Sequence, residues 1–350
     1  MTPAEPRLCS PPRDRDAAIL AQRLFITVIM PVRNEAKFIE RTLTQLVAQN
    51  YDPERFEIIV VDGQSSDDTA ERVATFAERY DNVRLYENPR HLGSAARNIA
   101  LRHARGDVVV IVDGHCELQD DRYLAKLASA FARSDADCIG RPQPLDVPAA
   151  TALQRAIAAA RACRLGHHPD SYIYSCQEGF VPAKSVAVAY RRTVFEQVGT
   201  FDEDFDACED VEMNHRIDCA GLRCFFTPEA AVHYAPRDSL SGLFRQLVRY
   251  GRGRVRLLRK HPETFSLPSL VPLLVVVGLI VGLPLGLAAA WLAGVYLVGI
   301  AIYAAVVLTA SALIALRQRR LWPILWLPMV FLTIHLACGI GILLELLKRG

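Results

Sequence analysis

The chain has 350 residues, of which 51% are hydrophobic and 22% are charged, and its formal net charge at pH 7 is +2. This length and apolar content can bury one or two sizeable cores, so a disordered or purely fibrous chain is excluded. Nine cysteines occur without a CxxC pair, so the sequence indicates neither a disulfide framework nor a zinc ribbon, and a reducing compartment fits best. Residues 1–22 begin polar and rich in proline, without the apolar core of a secretory signal, and predict a flexible tail.

Short apolar strands alternate with amphipathic helices after this tail. Strands are predicted at 25–31, 56–62, 83–88 and 107–113, and helices at 39–47, 70–80, 95–103, 152–168 and 211–220. The alternation predicts an α/β fold, with a mostly parallel sheet and helices on both of its faces. Ligands of such folds bind at the carboxyl ends of the strands, which is where this sequence places its unusual polar residues.

The C-terminal part of the chain is strongly apolar. Residues 264–316 contain no Asp, Glu, Lys or Arg, which is long enough for two membrane-spanning helices. We predict a membrane anchor over 268–347, with spans near 268–289, 293–316 and 321–344. The alternative, a buried helical hairpin of a soluble protein, fits poorly with so long a stretch without charge.

Basic residues beside the spans indicate the orientation. They precede the first span and follow the second: Arg245, Arg249, Arg252, Arg254, Arg256, Arg259, Lys260, Arg317, Arg319, Arg320. The turn between these two spans has none. Both clusters therefore belong on the cytoplasmic side, together with everything before residue 260, although Lys348 and Arg349 then fall on the outside.

Six motifs follow one another along the chain. They are PVRNE (31–35), VVDGQSSDDT (60–69), GSAARN (93–98), IVDGH (111–115), ACEDVEMNHR (207–216) and QLVRY (246–250). In order and spacing they resemble the family 2 glycosyltransferases of the GT-A fold, and the resemblance covers about residues 25–255. With DGH in place of DXD, the chain is most similar to the succinoglycan-type glucosyltransferases of exopolysaccharide synthesis. This organisation implies a catalytic domain over 23–237 and a basic juxtamembrane segment with QxxRY over 238–262.

The resemblance implies a set of donor-binding residues: Pro31, Arg33, Glu35, Asp62, Arg97, Asp113. The loop with Glu35 would contact the base and ribose of a nucleotide, and Asp62 would contact the edge of a uracil. Arg97 would lie near the donor phosphates, which suit a planar guanidinium, and a surface salt bridge is the alternative. We interpret Ser65, in the second motif, as a cap of the following helix.

Asp113 and His115 would hold a divalent cation, because relatives bind one here that bridges the two donor phosphates. Imidazole suits Mn²⁺ better than Mg²⁺, so of these two candidate cations the histidine favours Mn²⁺. The alternative, that His115 only hydrogen-bonds phosphate or water, remains open.

The resemblance also assigns the acceptor side. Asp210 matches the general base of the family and Glu209 its neighbour, although paired acids at a helix start can simply favour the helix dipole. Gln246, Arg249 and Tyr250 resemble QxxRW, which holds acceptor and diphosphate. The arginines of this segment could also bind anionic lipid headgroups. The predicted helix over 152–168 suggests an interfacial helix near the acceptor or, equally, core packing.

These features together predict an inverting hexosyltransferase in the cell inner membrane, with its catalytic domain in the cytoplasm. Its partners would be a nucleotide sugar, UDP-glucose first, a polyprenyl-linked glycan acceptor and membrane lipids, with no nucleic acid. A processive polysaccharide synthase is one alternative, for which three spans are few. A catalytically inactive nucleotide-sugar-binding scaffold is another, suggested by the altered DXD. A dinucleotide-dependent dehydrogenase is excluded because no GxGxxG follows the first strand.

Overall fold

The computed structural model describes residues 20–147, 150–167, 171–320 and 322–348. Most of the predicted tail lies outside these residues, as do His168 at the end of a predicted helix, Leu321 at the start of the third predicted span, and Arg349.

A central sheet of eight strands has the order β3-β2-β1-β4-β8-β6-β9-β7, and β10 pairs separately with β5. The strands are β1 (Ile26–Val32), β2 (Phe56–Asp62), β3 (Val83–Glu87), β4 (Val108–Ile111), β5 (Cys116–Leu118), β6 (Cys138–Gly140), β7 (Gly179–Val181), β8 (Ala187–Arg191), β9 (Cys224–Phe226) and β10 (Val232–Tyr234). The first four strands are mutually parallel, as are β6 and β9, whereas β8 and β7 run antiparallel to their neighbours. The prediction of a mostly parallel α/β sheet is confirmed.

Eleven α-helices lie within the described residues. They are α1 (Ile39–Val47), α2 (Thr69–Arg79), α3 (Gly93–His103), α4 (Tyr123–Ser134), α5 (Ala152–Arg161), α6 (Arg192–Val198), α7 (Glu209–Cys219), α8 (Leu240–Lys260), α9 (Val271–Ala288), α10 (Ala290–Gln318) and α11 (Pro323–Leu347). Helix α5 is shorter than predicted. The chain folds back after it, where the N–H of Gly166 bonds to the carbonyl of Cys163.

The sheet is covered on both faces, and the central strands are accordingly apolar at nearly every position. All seven residues of β2, FEIIVVD, are buried, as expected of a parallel strand between two helical layers. Helix α1 contributes Ile39, Leu43 and Leu46 from one face, each fully buried. Each such side chain stabilises the core by about 1.5–3 kcal/mol, and together they hold the strand ends in fixed positions.

Three C-terminal helices are long and apolar enough to cross a membrane, at Leu267–Ala288, Ala290–Gln318 and Pro323–Leu347. Three such helices were predicted and are found. The first two are joined by a tight break at a single residue, Ala289, whose backbone is extended with φ −154° and ψ 133°. A Cβ on Gly286 would press on Ala293 of the next helix, so this glycine lets α9 and α10 pack closely.

Helix α11 differs from the other two apolar helices because one of its faces is covered by α5 and α8. Leu327, Val330 and Phe331 are fully buried in a cluster with residues of both helices. A Cβ on Gly251 of α8 would collide with the carbonyl of Cys338. Helices α8 and α11 therefore touch at backbone distance.

A buried carboxylate fastens the end of α11 to the basic helix α8. The side chain of Glu345 is 4% exposed and accepts hydrogen bonds from Nε of Arg252 and Nε of Arg256, each at 2.8 Å. Arg259 donates to the backbone carbonyl of Glu345 at 2.8 Å. Arg252, Arg256 and Arg259, whose charges were used above to indicate orientation, therefore bind α11 directly.

Candidate active site

The loops after β1, β2 and β4 meet at one edge of the sheet, because these three strands are parallel neighbours in the order β2-β1-β4. They carry Glu35, Asp62 and Asp113. Pro31 is still part of β1, and Arg33 follows the strand as an exposed residue beside Gly63. The structure therefore brings these three predicted donor-side loops to the expected edge.

Asp62 is buried and is held by the loop that follows it. Its carboxylate accepts the N–H of Ser65 at 2.9 Å and the Ser65 hydroxyl at 2.5 Å. The same hydroxyl accepts the N–H of Asn34 at 2.8 Å, which ties the first loop to the second. Our interpretation of Ser65 as a helix cap is wrong, because α2 begins after Asp68 and Ser65 joins two loops instead.

Backbone conformations that side chains rarely adopt are concentrated in these loops. Positive φ values occur at Asn34 (55°), Gln64 (53°), His91 (58°) and Cys208 (67°). The first three follow β1, β2 and β3, and Cys208 precedes α7. Such strain persists only where the surrounding structure enforces it, and it is typical of binding and catalytic sites.

His115 is oriented by Glu35. Its Nδ1 lies 2.9 Å from Oε1 of Glu35, and its ring packs edge-on against Tyr234 with 5.7 Å between centroids. Burial lowers the pKa of His115, but the hydrogen bond and charge of Glu35 outweigh this and raise it. Because Nδ1 donates to a carboxylate, Nε2 is left to act as an acceptor or ligand, the arrangement found in metal-binding histidines.

The carboxylate of Asp113 has no hydrogen-bond or ion-pair partner among the residues that the structure describes, although the residue is half-buried. The pKa of Tyr234 is raised by burial and, as the second cause, by the negative charge of Asp113. A half-buried carboxylate that the protein leaves unpaired, two residues from an oriented imidazole, is a donor set that fits a divalent cation.

Arg97 and Glu209 form an ion pair inside the site. Nη1 of Arg97 lies 2.7 Å from Oε1 of Glu209, and the two side chains are only 11% and 12% exposed. Arg97 thus forms a salt bridge, as the alternative interpretation supposed, but within the site and not on the surface. Burial lowers the pKa of Arg97, but the charges of Glu209, Asp210 and Asp113 raise it further than burial lowers it. Glu209 thus pairs directly with this guanidinium, and Asp210 and Asp113 are near enough for their charges to act on it.

The GSAARN motif positions the segment that leads into α7. The hydroxyl of Ser94 donates to the carbonyl of Phe205 at 3.0 Å. The amide of Asn98 donates to the carbonyl of Phe201 at 2.8 Å and accepts its N–H at 3.0 Å. Ser94, Arg97 and Asn98 share one face of α3, since residues three and four apart are neighbours on a helix. This face fixes where α7 begins.

Asp210 is exposed in the first turn of α7. Its Oδ1 accepts the N–H of Val211 at 2.9 Å, and no basic side chain within the described ranges pairs with it. Burial and the charge of Asp210 raise the pKa of Glu209, although Arg97 opposes this shift. The two adjacent acids therefore differ: Glu209 is engaged by Arg97, and Asp210 is accessible.

The QxxRY residues on α8 lie against the same segment. Arg249 donates to the carbonyl of Asp206 at 2.5 Å, and the amide of Gln246 donates to the hydroxyl of Tyr250 at 3.3 Å. A Cβ on Gly253 would collide with the carbonyl of Ala207. Helix α8 is thus packed directly beside the start of α7.

Three further site residues were missed at the level of sequence. Tyr234 pairs with Cys116 across β10 and β5, and Nε of Arg237 donates to Gln246 at 3.3 Å. No local pattern marks either residue, because only the pairing of distant segments brings them to the site. Arg161 lies over the ring of Tyr250 at 6.0 Å. It belongs to the segment that we had linked to the acceptor.

This fold and site define the class: a glycosyltransferase of the GT-A type. Residues 27–180 match the profile of "Glycosyl transferase family 2", and residues 108–340 match "Glycosyl transferase family group 2". The chain belongs to the family 2 glycosyltransferases.

Similar proteins agree with this assignment. "Succinoglycan biosynthesis protein ExoA" of Rhizobium meliloti (strain 1021) is 29% identical over 91% of this chain and 94% of its own length. "Dolichyl N-acetyl-alpha-D-glucosaminyl phosphate 3-beta-D-2,3-diacetamido-2,3-dideoxy-beta-D-glucuronosyltransferase" of Methanococcus voltae is 25% identical, covering 67% of this chain and 74% of its own. The solved mannosyltransferase PcManGT from Pyrobaculum calidifontis, in complex with GDP-Man and Mn²⁺, shares the fold. Its TM-score is 0.60 at 23% identity, over 99% of this chain and 92% of that one.

Proposed function

We propose that this glycosyltransferase is an inverting hexosyltransferase that moves glucose from UDP-glucose to a polyprenyl-linked glycan. The observation that carries the proposal is the ion pair between the buried Arg97 and Glu209, beside the exposed Asp210 and within range of the charge of Asp113. One edge of the sheet then offers both a place for a sugar diphosphate and an accessible base. The similarity to a succinoglycan biosynthesis protein supports a role in exopolysaccharide synthesis.

Asp210 is the proposed general base. Its carboxylate accepts the proton of the acceptor hydroxyl as that oxygen forms a bond to the anomeric carbon of the sugar. The bond from this carbon to the diphosphate breaks on the opposite face, and the nucleoside diphosphate leaves with the electron pair, which inverts the anomeric centre. Arg97 holds Glu209 beside Asp210, so that Glu209 orders the start of α7 and the exposed Asp210 is left to face the acceptor.

The proposed donor site uses the loops at the strand ends. Pro31, Arg33, Glu35 and Asp62 surround the base and ribose in this proposal, and Arg97 adds positive charge toward the diphosphate. Asp113, with Nε2 of His115, would hold a divalent cation, Mn²⁺ in preference to Mg²⁺, and the PcManGT structure with Mn²⁺ supports this choice. Such a cation neutralises charge on the leaving diphosphate.

The proposed acceptor site lies toward the anchor. Gln246, Arg249 and Tyr250 stand on α8, which packs against both the start of α7 and the apolar helix α11. This arrangement suits an acceptor whose reactive end reaches Asp210 while its lipid stays in the bilayer. The Methanococcus voltae relative, named for a dolichyl-phosphate-linked substrate, supports a lipid-linked acceptor. The basic residues beside the apolar helices support a cytoplasmic catalytic domain at the inner membrane.

Incubation of membranes containing the protein with radiolabelled UDP-glucose and Mn²⁺ tests the proposal. We expect label in a short product that extracts into organic solvent, and initial rates that are lower by about 100-fold or more with Asp210→Asn. Label in an insoluble polymer would indicate a processive synthase instead, and no transfer from any member of a nucleotide-sugar panel would indicate a binding scaffold. Transfer from another nucleotide sugar alone would overturn the choice of glucose.

A further inference from the structure

A second group of metal-binding side chains lies at the opposite end of α7 from the acids. His215 and Cys219 are one helical turn apart and so share a face of the helix. Glu263, in the segment after α8, reaches the same point. The ligand atoms of His215, Cys219 and Glu263 all lie within 4.8 Å of one another.

The distances converge on Nε2 of His215, which lies 2.8 Å from Oε1 of Glu263 and 3.4 Å from Sγ of Cys219. Zinc bonds of about 2.0–2.3 Å at tetrahedral angles would separate ligand atoms by roughly 3.3–3.6 Å. The 3.4 Å spacing matches such an edge, and the 2.8 Å hydrogen-bond contact would need to open by about 0.5 Å, which a rotation of the exposed Glu263 side chain would allow.

His261 lies beside these three and is the candidate for a fourth ligand. Its Nδ1 lies 3.7 Å from Oε1 of Glu263, and its ring packs against that of His215 with 4.7 Å between centroids. The other nitrogen of His261, Nε2, lies 3.0 Å from the buried carboxylate of Glu212. That contact keeps the proton on Nε2 and leaves Nδ1 as an electron-pair donor, as the outer partners of zinc-bound histidines do.

We propose that His215, Cys219, His261 and Glu263 form a Zn²⁺ site that joins α7 to the segment between α8 and the first apolar helix. One thiolate, two imidazoles and one carboxylate match the ligands that zinc takes in proteins. The ion would fasten the helix that carries Asp210 to the helix that carries the QxxRY residues. This group is separate from the acids at the start of α7, since Cys219 lies about 14 Å along the helix from Asp210 at a rise of about 1.5 Å per residue.

The site can be tested with full-length protein in detergent from which metal has been removed by chelation. The affinity for Zn²⁺ and the absorption spectrum with Co²⁺ are then measured. Saturating Mg²⁺ keeps the donor-side carboxylates occupied. We expect one equivalent of tightly bound Zn²⁺, and with Co²⁺ a thiolate-to-cobalt charge-transfer band in the near ultraviolet. Loss of an outer-shell partner typically weakens metal binding about 10–100-fold, so Cys219→Ser, which removes a ligand, should weaken it by at least about 100-fold and abolish the band.

Matched variants keep this test decisive. Cys176→Ser removes another exposed cysteine and should leave both affinity and band unchanged, as should Asp113→Asn at the donor side. Glu263→Gln, at an exposed position, should weaken Zn²⁺ without abolishing the band. Metal-free Cys219→Ser should unfold at the temperature of the metal-free wild type, which rules out a folding defect. Zn²⁺ binding or a thiolate band that survives Cys219→Ser would overturn the proposal, as would wild-type protein that binds no Zn²⁺.

Discussion

A fully paired carboxylate at the amino end of the central sheet contrasts with two carboxylates, Asp113 and Asp210, at its carboxyl end. At the amino end, the side chain of Glu57 is fully buried and accepts the Thr27 hydroxyl at 2.7 Å and the N–H and Nε of Arg105 at 2.7 and 2.9 Å. Arg84 forms a further ion pair with it. At the carboxyl end, Asp113 has no such partner among the described residues, and Asp210 accepts only a neighbouring N–H.

The difference separates carboxylates that stabilise the fold from carboxylates that are free to bind a ligand or a proton. Removing a charge from water costs several kcal/mol, and only a full set of partners offsets this cost in a protein interior. A carboxylate with all its lone pairs used, like Glu57, can neither bind a ligand nor accept a proton. The partly accessible acids at the other end keep these capacities.

The largest expected effect follows from substituting the accessible acid. Asp210→Asn should lower kcat about 10²–10⁴-fold, the usual contribution of a positioned base, with donor binding and thermal unfolding unchanged. Initial rates at saturating donor measure this effect. Asp204→Asn, at an exposed acid of the preceding segment, is the matched control and should retain wild-type rates. A fully active Asp210→Asn protein would end the role of Asp210 as base.

Substitution of Glu57, whose carboxylate has a full set of partners, should lower stability and leave kcat unchanged. Glu57→Gln leaves Arg84 and Arg105 without their shared anion, and breaking a buried pair costs about 3–5 kcal/mol of unfolding free energy. Denaturant unfolding in detergent measures this cost, and Glu54→Gln, at an exposed position nearby, should change stability by less than about 0.5 kcal/mol. Loss of kcat in Glu57→Gln protein that is still fully folded would contradict a purely structural role.

Glu345 extends the comparison to the anchor, because it is also buried with two arginines. Glu345→Gln keeps its shape but removes its charge. We expect a loss of about 1.5–3 kcal/mol, the range for hydrogen bonds to charged groups. Thermal unfolding in detergent tests this, with Arg245→Gln on the exposed side of α8 as the control. Equal stability of the two variants would show that the pair contributes nothing.

The smallest effect is a dependence on pH. Burial raises the pKa of Glu57, but hydrogen bonds from Thr27 and Arg105 and the charge of Arg84 outweigh it and lower the pKa below its ordinary value. The folded protein therefore binds this proton less readily than the unfolded chain. The stabilisation is complete above the ordinary carboxyl pKa of about 4.3 and is lost as pH falls through the lower folded value. Unfolding free energy should fall less steeply in acid for Glu57→Gln than for wild type; parallel curves would contradict this.

Much of the fold could be predicted because its signals are local. Strand β2 was placed at its observed limits, since a continuous apolar run ends there in an aspartate. The first two apolar helices could be predicted because residues 264–316 contain no charged side chain. The site was predicted only where motifs mark it. The bridge made by Ser65, the pairing of Arg97 with Glu209, and the positions of Tyr234 and Arg237 depend on contacts between distant segments, and no periodicity encodes these contacts.

The contact of Glu345 with α8 has a topological consequence for the bilayer. Helix α10 ends at Gln318, and α11 begins only five residues later at Pro323, so both termini stand at the face where the basic loop lies. Because the far end of α11 is held by Arg252 and Arg256, it returns to that same face. Since α11 is one unbroken helix, we expect it to be embedded along the membrane surface beneath the catalytic domain, with two crossings in total. A reporter fused after Lys348 should then be active in the same compartment as one fused before Leu20, and opposite compartments would restore three crossings.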